Sequence, residues 1–329
     1  MTRIYALLTA VLVAGLQSTG FSTAQDARDW PTRPLTLVVP FAVGGAFDVL
    51  ARMIAPRISE LLGRPIVIEN VTGAGGITAA VRIARAPPDG YQFVLGDSSF
   101  AHNQALYRNP PYSAATDFAP VVLIAEQPPV LIVRNDLPAN DLSEFIAYAK
   151  VNQAKMQYGS AGVGSPTHLA CVLLNLAIGV NITHIPYRGG APAMQDVIAG
   201  RIDYQCPIVG TAISQIEARQ VKAIAILTKT RSPSLPGLAS AQEQGLTNFE
   251  ASAWNAFFLP KGTPAAIVTR LHDATVAAME TPAVQMRLKE LGANIVTSQR
   301  RSPEYLKAFL ACEIERWAGP INAAGIALD

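Results

Sequence analysis

The stretch "LTLVVPFAVGGAFDVLAR", Leu35 to Arg52, runs from an apolar segment through two glycines into a helical pattern. Leu35-Thr36-Leu37-Val38-Val39 reads as a mostly buried strand, and Phe47, Leu50, Ile54, Ile58 and Leu61 recur at helical spacing. Gly44 and Gly45 therefore sit at a strand-to-helix turn. The first backbone N–H groups of such a helix lack intrahelical partners, and its dipole favours an anion at that end. The same unit recurs downstream. "PIVIENV" leads into the glycine-rich "TGAGGITAAVRIARA", and the strand "YQFVLGDSS" follows the turn Pro87-Pro88-Asp89-Gly90. Alternating strands and helices of this kind predict an α/β unit with a largely parallel sheet, whose ligands bind off the carboxyl ends of the strands. Gly44-Gly45, Gly73 to Gly76 and Ser98-Ser99 would meet at that one edge.

Beyond "VVLIAEQPPVLIVRND" the chain enters a second unit, opening with a helix from Ser143 to Lys150 capped near Asp141 or Ser143. "MQYGSAGVGSPTHLACVLLNLA" repeats strand, glycine turn and helix, with Ser165 placed as N-cap and Pro166 at the first helical position. "THIPYRGGAPAMQDVIAG" repeats it again. The strand "RIDYQCPIV", a helix from about Thr211 to Arg219 and the strand "VKAIAIL" complete the unit. "FEASAWNAFFLPKGTP" is a second crossing, after which helices from Pro264 to Met279 and from Pro303, capped by Ser302, pack back on the first unit. The expected organisation is a leader at 1–24, a discontinuous first lobe at 30–128 and 252–329, and a second lobe at 129–251. Each lobe is expected to hold a mainly parallel sheet flanked by helices. Two crossover strands would form a hinge, with a ligand cleft between the lobes.

The composition narrows the classes. A chain of 329 residues, 50% hydrophobic and 15% charged, supports packed cores, and a formal charge of +2 provides no basic stripe for nucleic acid or a membrane surface. "MTRIYALLTAVLVAGLQSTGFSTAQ" carries Arg3, an apolar run from Ile4 to Leu16 and small residues before Gln25, the layout of an export signal cleaved after Ala24. Cys171, Cys206 and Cys312 allow at most one disulfide, and buried free thiols are the expectation. The histidines at 102, 168, 184 and 272 are scattered, so neither a metal nor another cofactor is expected.

Catalytic motifs fail on named residues. "YGSAG", Tyr158 to Gly162, has Tyr158 where a nucleophile elbow needs glycine, and "GVGSPT", Gly162 to Thr167, ends in Thr where the dinucleotide fingerprint ends in glycine. What remains is hydrogen bonding without reaction, which suits a carboxylate in a cleft.

Here a resemblance becomes specific. "PFAVGGAFDVLAR", "GAGGITAAVRIARAPPDGYQFVLGDSS", "YGSAGVGSPTHLA", "PYRGGAPAMQDVIAGRID" and "FFLPKGTPAAIV" occur in this order, and the chain resembles the substrate-binding proteins of tripartite tricarboxylate transporters, the TctC or Bug family. The resemblance implies a periplasmic binding protein of the two-lobed, type II-like fold. Such a protein closes on a small organic carboxylate and delivers it to large and small integral-membrane subunits. It further implies that one ligand carboxylate is held, through backbone N–H groups and ordered waters, by the loop of Phe41, Ala42, Gly44, Gly45, Ala46 and Asp48. Ser98 and Ser99, the run Ser160, Gly162, Gly164, Ser165 and His168, and the strand bearing Asp203 and Cys206 would complete the site. A monomer is expected, and no nucleic-acid partner.

Several residues carry two readings. Phe47 either lines the cleft or begins the apolar face of its helix; Asp48 either serves the ligand loop or matches the helix dipole; His168 either orients the serine loop or touches ligand. Asp203 either contacts ligand or only fixes a turn, Tyr187 either reaches the cleft or packs under it, and Arg188 is read as a solvated loop charge rather than a carboxylate partner. Gln205-Cys206-Pro207, where amino-acid-binding relatives place an acid, favours a carboxylate without an amino group. Besides transport, a sensor presenting its closed face to a membrane histidine kinase is the second reading, and a secreted hydrolase the third.

Overall fold

A computed structural model describes residues 29–323. The leader expected at 1–24 lies outside the described residues. Two sheets organise the chain. The first takes β1 (Leu35–Val39), β2 (Ile66–Asn70), β3 (Gln92–Asp97), β4 (Phe118–Gln127), β10 (Ala253–Pro260) and β11 (Asn294–Ile295) in the order β11-β4-β10-β3-β1-β2. The second takes β5 (Val130–Val133), β6 (Gln157–Ser160), β7 (Thr183–Pro186), β8 (Tyr204–Gln205) and β9 (Lys222–Ile226) in the order β7-β6-β8-β5-β9. Only Pro128-Pro129 separates β4 in one sheet from β5 in the other, so proline rigidity falls where the chain changes lobe.

The sheets are mixed rather than mainly parallel. β1 pairs in parallel with β2 and β3, and β6 with β7 and β8, as strand–helix–strand crossovers dictate. The strands at the crossings add antiparallel pairs: β10 between β3 and β4, and β5 between β8 and β9. A chain that leaves one sheet and later returns inserts its connecting strands against the prevailing direction.

The helices follow from their sequence signals. The helix α1 (Ala46–Leu62) ends at Gly63, whose φ of 72° is the left-handed cap expected of glycine. The 3-10 turn Ala74–Gly76 leads into α2 (Ile77–Ala84), and α3 (Ser99–Leu106) follows β3 directly. In the second lobe α4 (Leu142–Asn152) is capped by Asp141, which accepts from the Glu144 amide, and α5 (Pro166–Ile178) by Ser165. α6 (Gly190–Ile198) and α7 (Val209–Glu217) complete that lobe, and α8 (Ala265–Glu280), α9 (Pro282–Glu290) and α10 (Pro303–Ala323) return to the first. α1 packs on α8, and α10 packs on α3. No helix among the described residues is long and apolar enough to cross a membrane.

Each lobe has its own core, but they are not separate. Ala161, Leu169 and Ile208 of the second lobe are buried within the first lobe's apolar cluster, so the two lobes are in contact. The free-thiol expectation is corrected: Cys171 on α5 and Cys206 after β8 form a disulfide, their Cα atoms 5.5 Å apart, while Cys312 is free and exposed. Parallel pairing of β6 with β8 brings the end of β8 beneath the first turns of α5, a proximity that 35 residues of intervening sequence conceal.

Candidate functional site

The glycine turn at Phe41–Asp48 is folded by its own side chain. Asp48 accepts from the Gly44 amide at 3.0 Å, from Asn70 Nδ2 at 2.9 Å and from Arg52 Nε at 3.0 and 2.9 Å. Burial works against its charge, but the bonds from Arg52, Gly44 and Asn70 outweigh it and hold the carboxyl below its ordinary range. Asp48 thus both fixes the loop and is neutralised by Arg52. The loop's amides at Ala42, Gly44, Gly45 and Ala46 are engaged, and those at Phe41 and Val43 are not. Gly45 N–H donates to Ala42 O, Ala42 N–H to Arg188 O across the cleft, and Ala46 N–H to Thr211 Oγ1 across the cleft. The amides of Phe47 and Asp48, in the first turn of α1, have no protein partner among the described residues. Of the loop's unpartnered amides they are the two within the first helical turn, where the helix dipole favours an anion. The Phe47 ring is buried against Phe41, ring centres 4.9 Å apart, and belongs to the core.

Ser99 N–H donates to Asp97 Oδ1 at 2.7 Å, while the hydroxyl of Ser98 is buried without a partner. On the other side of the cleft the serine loop is satisfied from within. Ser165 Oγ donates to Gly162 O and accepts from His168 N, Gly164 N–H donates to His168 Nδ1, and Ser160 Oγ lies 2.7 Å from His184 Nε2. His168 therefore orients the loop. Glycine is required where the two lobes press together: at Gly75, φ 61°, a Cβ would run into Val163 O and stand 2.8 Å from Ser165 N. Around this contact opens a groove of about 660 Å³ lined by Gly73 to Gly75, Ala161 to Val163, Tyr187 and Arg188.

Phe41 to Asp48, Ser98-Ser99 and Ser160 to His168 thus come together at the facing edges of the two sheets. Asp203 does not. It precedes β8, accepts from Arg134 Nε at 3.0 Å and from the Gln157 amide at 2.7 Å, and so stands at the start of β6, about 10 Å of strand from Ser160. The end of the strand that meets the other candidate residues is the opposite one, so the structure does not bring Asp203 to them. Cys206 lies at that end, but as half of the disulfide. Sequence reading singled out Gln205 but missed Thr211, which takes the Ala46 amide, and the buried amides Gln127 and Asn255. An isolated threonine or glutamine carries no motif, and only the fold reveals it.

The same groups make stability pH-dependent. Burial pushes His168 down to about 3, aided by neighbouring His184; burial lowers His184 to about 4; burial, then the charge of Arg316, lowers His102 to about 3. The unfolded chain protonates histidine near 6.5, so each buried neutral ring loses about 1.4 kcal/mol of stabilisation per pH unit as pH falls below about 6.5, His184 less because it is partly exposed. Asp97 acts oppositely. Burial raises it to about 7, against hydrogen bonds from Ser99, so its contribution declines as pH rises from its ordinary value through about 7. The melting temperature should rise from pH 4 to about 6.5 and sag slightly to about 7. Asp97→Asn should remove the sag. A melting temperature flat between pH 5 and 6.5 would contradict neutral burial of the histidines.

Comparison with known proteins bears on this geometry. Residues 50–326 match the family described as TctC, tripartite tricarboxylate transporter family receptor. The chain belongs to that family. The solved periplasmic binding protein BugD is 38% identical, with TM-score 0.87, over 91% of this chain and 99% of its own. MatC from Rhodopseudomonas palustris, solved with bound malate, is 38% identical with TM-score 0.86, over 89% of this chain and 100% of its own. A second R. palustris protein, solved with adipate, is 37% identical with TM-score 0.86, over 91% and 99%. The chain is thus a solute-binding protein of the TctC family with its two-lobed α/β fold, and these solved TctC relatives are binding proteins rather than enzymes.

Proposed function

We propose that this protein captures a small organic carboxylate in the periplasm, between lobes divided at 128/129 and 251/252, and delivers it as a monomer to the membrane subunits of a tripartite transporter. The observation that carries the reading is the pair of unpartnered amides, Phe47 and Asp48, at the N-terminus of a 17-residue helix, in a loop shared by both lobes. The malate and adipate bound by the two R. palustris relatives are carboxylates. Magnitudes explain the need for two lobes. Two hydrogen bonds to a carboxylate and a helix end contribute about 3–8 kcal/mol, before an association cost of at least about 4. Micromolar affinity needs about 8 kcal/mol net, so the second lobe must supply the remainder.

A thermal-shift screen of the mature chain against mono-, di- and tricarboxylates, aromatic acids and amino acids tests this. An acid at about a hundred times its dissociation constant should stabilise by roughly 2.7 kcal/mol, a shift of several degrees. No shift with any acid would overturn the carboxylate reading. A shift with amino acids alone would overturn the absence of an amino group.

A further inference from the structure

A pair of histidines stands behind the second-lobe loop that presses on the first lobe. His168, in the first turn of α5, and His184, in β7, lie ring to ring with centres 4.2 Å apart. Each ring reaches into the loop. Gly164 N–H donates to His168 Nδ1 at 3.2 Å, and His184 Nε2 lies 2.7 Å from Ser160 Oγ, which accepts from the Gly162 amide. Gly164 is where that loop meets α3 of the first lobe: a Cβ there would stand 2.8 Å from Asn103 Oδ1 and 3.0 Å from Leu106. The bond from Gly164 to His168 therefore holds backbone that forms the lobe contact.

The two bonds respond differently to a proton. His168 Nδ1 is an acceptor, so its ring is neutral with the hydrogen on Nε2; a proton added at Nδ1 would set two donors against each other and drive Gly164 off. His184 faces a hydroxyl, which donates or accepts, so it keeps its bond in either charge state. Proton sensitivity thus belongs to His168, and His184 supports it. The other groups set against the pair stay neutral. Tyr158 of β6, its ring centred 4.9 Å from His184 and 6.4 Å from His168, and Tyr204 of β8 beyond it have phenols that burial pushes up, while Asn175 of α5 and Asn103 of α3 are amides. Neither ring is bonded to an aspartate, glutamate, lysine or arginine among the described residues. A groove of about 390 Å³, lined by second-lobe residues that include Tyr158, Asn175, Thr183 and both histidines, brings water to the pair from outside the cleft.

We infer that His168 is a proton latch on the lobe contact, seated by His184 as a positioning residue: the form with the lobes in contact requires a bare Nδ1, the open form does not, and capture of the carboxylate is coupled to loss of a proton. The inference rests on the carboxylate reading above. Burial, then the neighbouring His184, hold His168 at about 3 with the lobes in contact. In the open form the loop is free to give up the Gly164 bond, and the ring moves towards its ordinary value near 6.5. Protons therefore favour the open form. Affinity is full above about pH 6.5 and falls as pH drops below it, by up to about tenfold per pH unit for one linked proton.

Isothermal titration between pH 7 and pH 5 tests this, using malate, adipate and the acid of the thermal-shift screen that stabilises the chain most. His168→Leu removes the acceptor, whereas the Oδ1 introduced by His168→Asn takes the Gly164 amide without titrating. At pH 7 His168→Leu should bind at least about tenfold more weakly than wild type, and His168→Asn should recover most of that loss. Between pH 7 and pH 5 wild type should lose at least about fivefold more affinity than His168→Asn, the acid's own ionisation being common to both. His184→Gln, whose Nε2 still reaches Ser160, should keep the wild-type pH loss. Nitrogen NMR of the ligand-free wild-type chain at pH 7 should show His168 protonated on Nε2 with Nδ1 bare, a readout that needs no variant to fold. Should His168→Asn not fold, His168→Leu serves in the same pH comparison. A protonated Nδ1 at pH 7, wild-type affinity in folded His168→Leu, a pH loss equal in wild type and the folded His168 variant, or one abolished by His184→Gln overturns this inference alone. Binding of no acid at any pH overturns the carboxylate reading and this inference with it.

Discussion

Gly75→Ala is expected to weaken ligand binding by at least about a hundredfold while leaving both lobes folded. The added Cβ would strike Val163 O and crowd Ser165 N, backbone atoms of the opposite lobe that cannot move without unseating the cap of α5. The lobes would then be held apart, and the contribution of the second lobe, about 3 kcal/mol or more, would be forfeited. Backbone strain alone does not give this result. Gly63 has a similar φ of 72° with nothing within 4 Å of its Cβ position, so Gly63→Ala should cost about 1 kcal/mol of stability and leave affinity unchanged. Titration of both variants with the same acid separates strain from blocked contact. Equal affinity in Gly75→Ala and wild type would show that the lobe contact has no part in binding.

Replacing both Cys171 and Cys206 with alanine is expected to lower stability by about 4 kcal/mol, the loop-closure value for 35 residues, and the melting temperature by roughly 10 °C. Reduction of the wild-type chain with dithiothreitol should give a similar fall. The bond ties α5, whose first turn carries the serine loop, to the segment following Gln205, so affinity should fall together with stability. A double variant melting within 2 °C of wild type, with no effect of reductant, would contradict a stabilising role.

The strand-to-helix turns were legible in the sequence because their signals are local. Glycines ending an apolar run, Asp141 and Ser165 as caps, and Pro166 and Pro303 at first helical positions each act within four residues. Phe47 could not be decided from spacing, since only the partner ring of Phe41 distinguishes core from cleft. Asp203 could not be decided for a related reason: the sequence places it on a strand of the second lobe but not at which end of that strand the cleft opens. The helix α3 was missed because Phe100 to Leu106 is buried on almost every side and shows no amphipathic period. Thr211, Gln127 and Asn255 draw their significance from partners 80 or more residues away or from having none, which no window of sequence contains.

The most direct measurement is the crystal structure of the mature chain with the carboxylate that raises its melting temperature most. The account expects one carboxylate within hydrogen-bonding distance of the Phe47 and Asp48 amides, enclosed by both lobes with Ala46 still bonded to Thr211. A ligand bound outside the cleft, or held in it with no oxygen near those two amides, would contradict it.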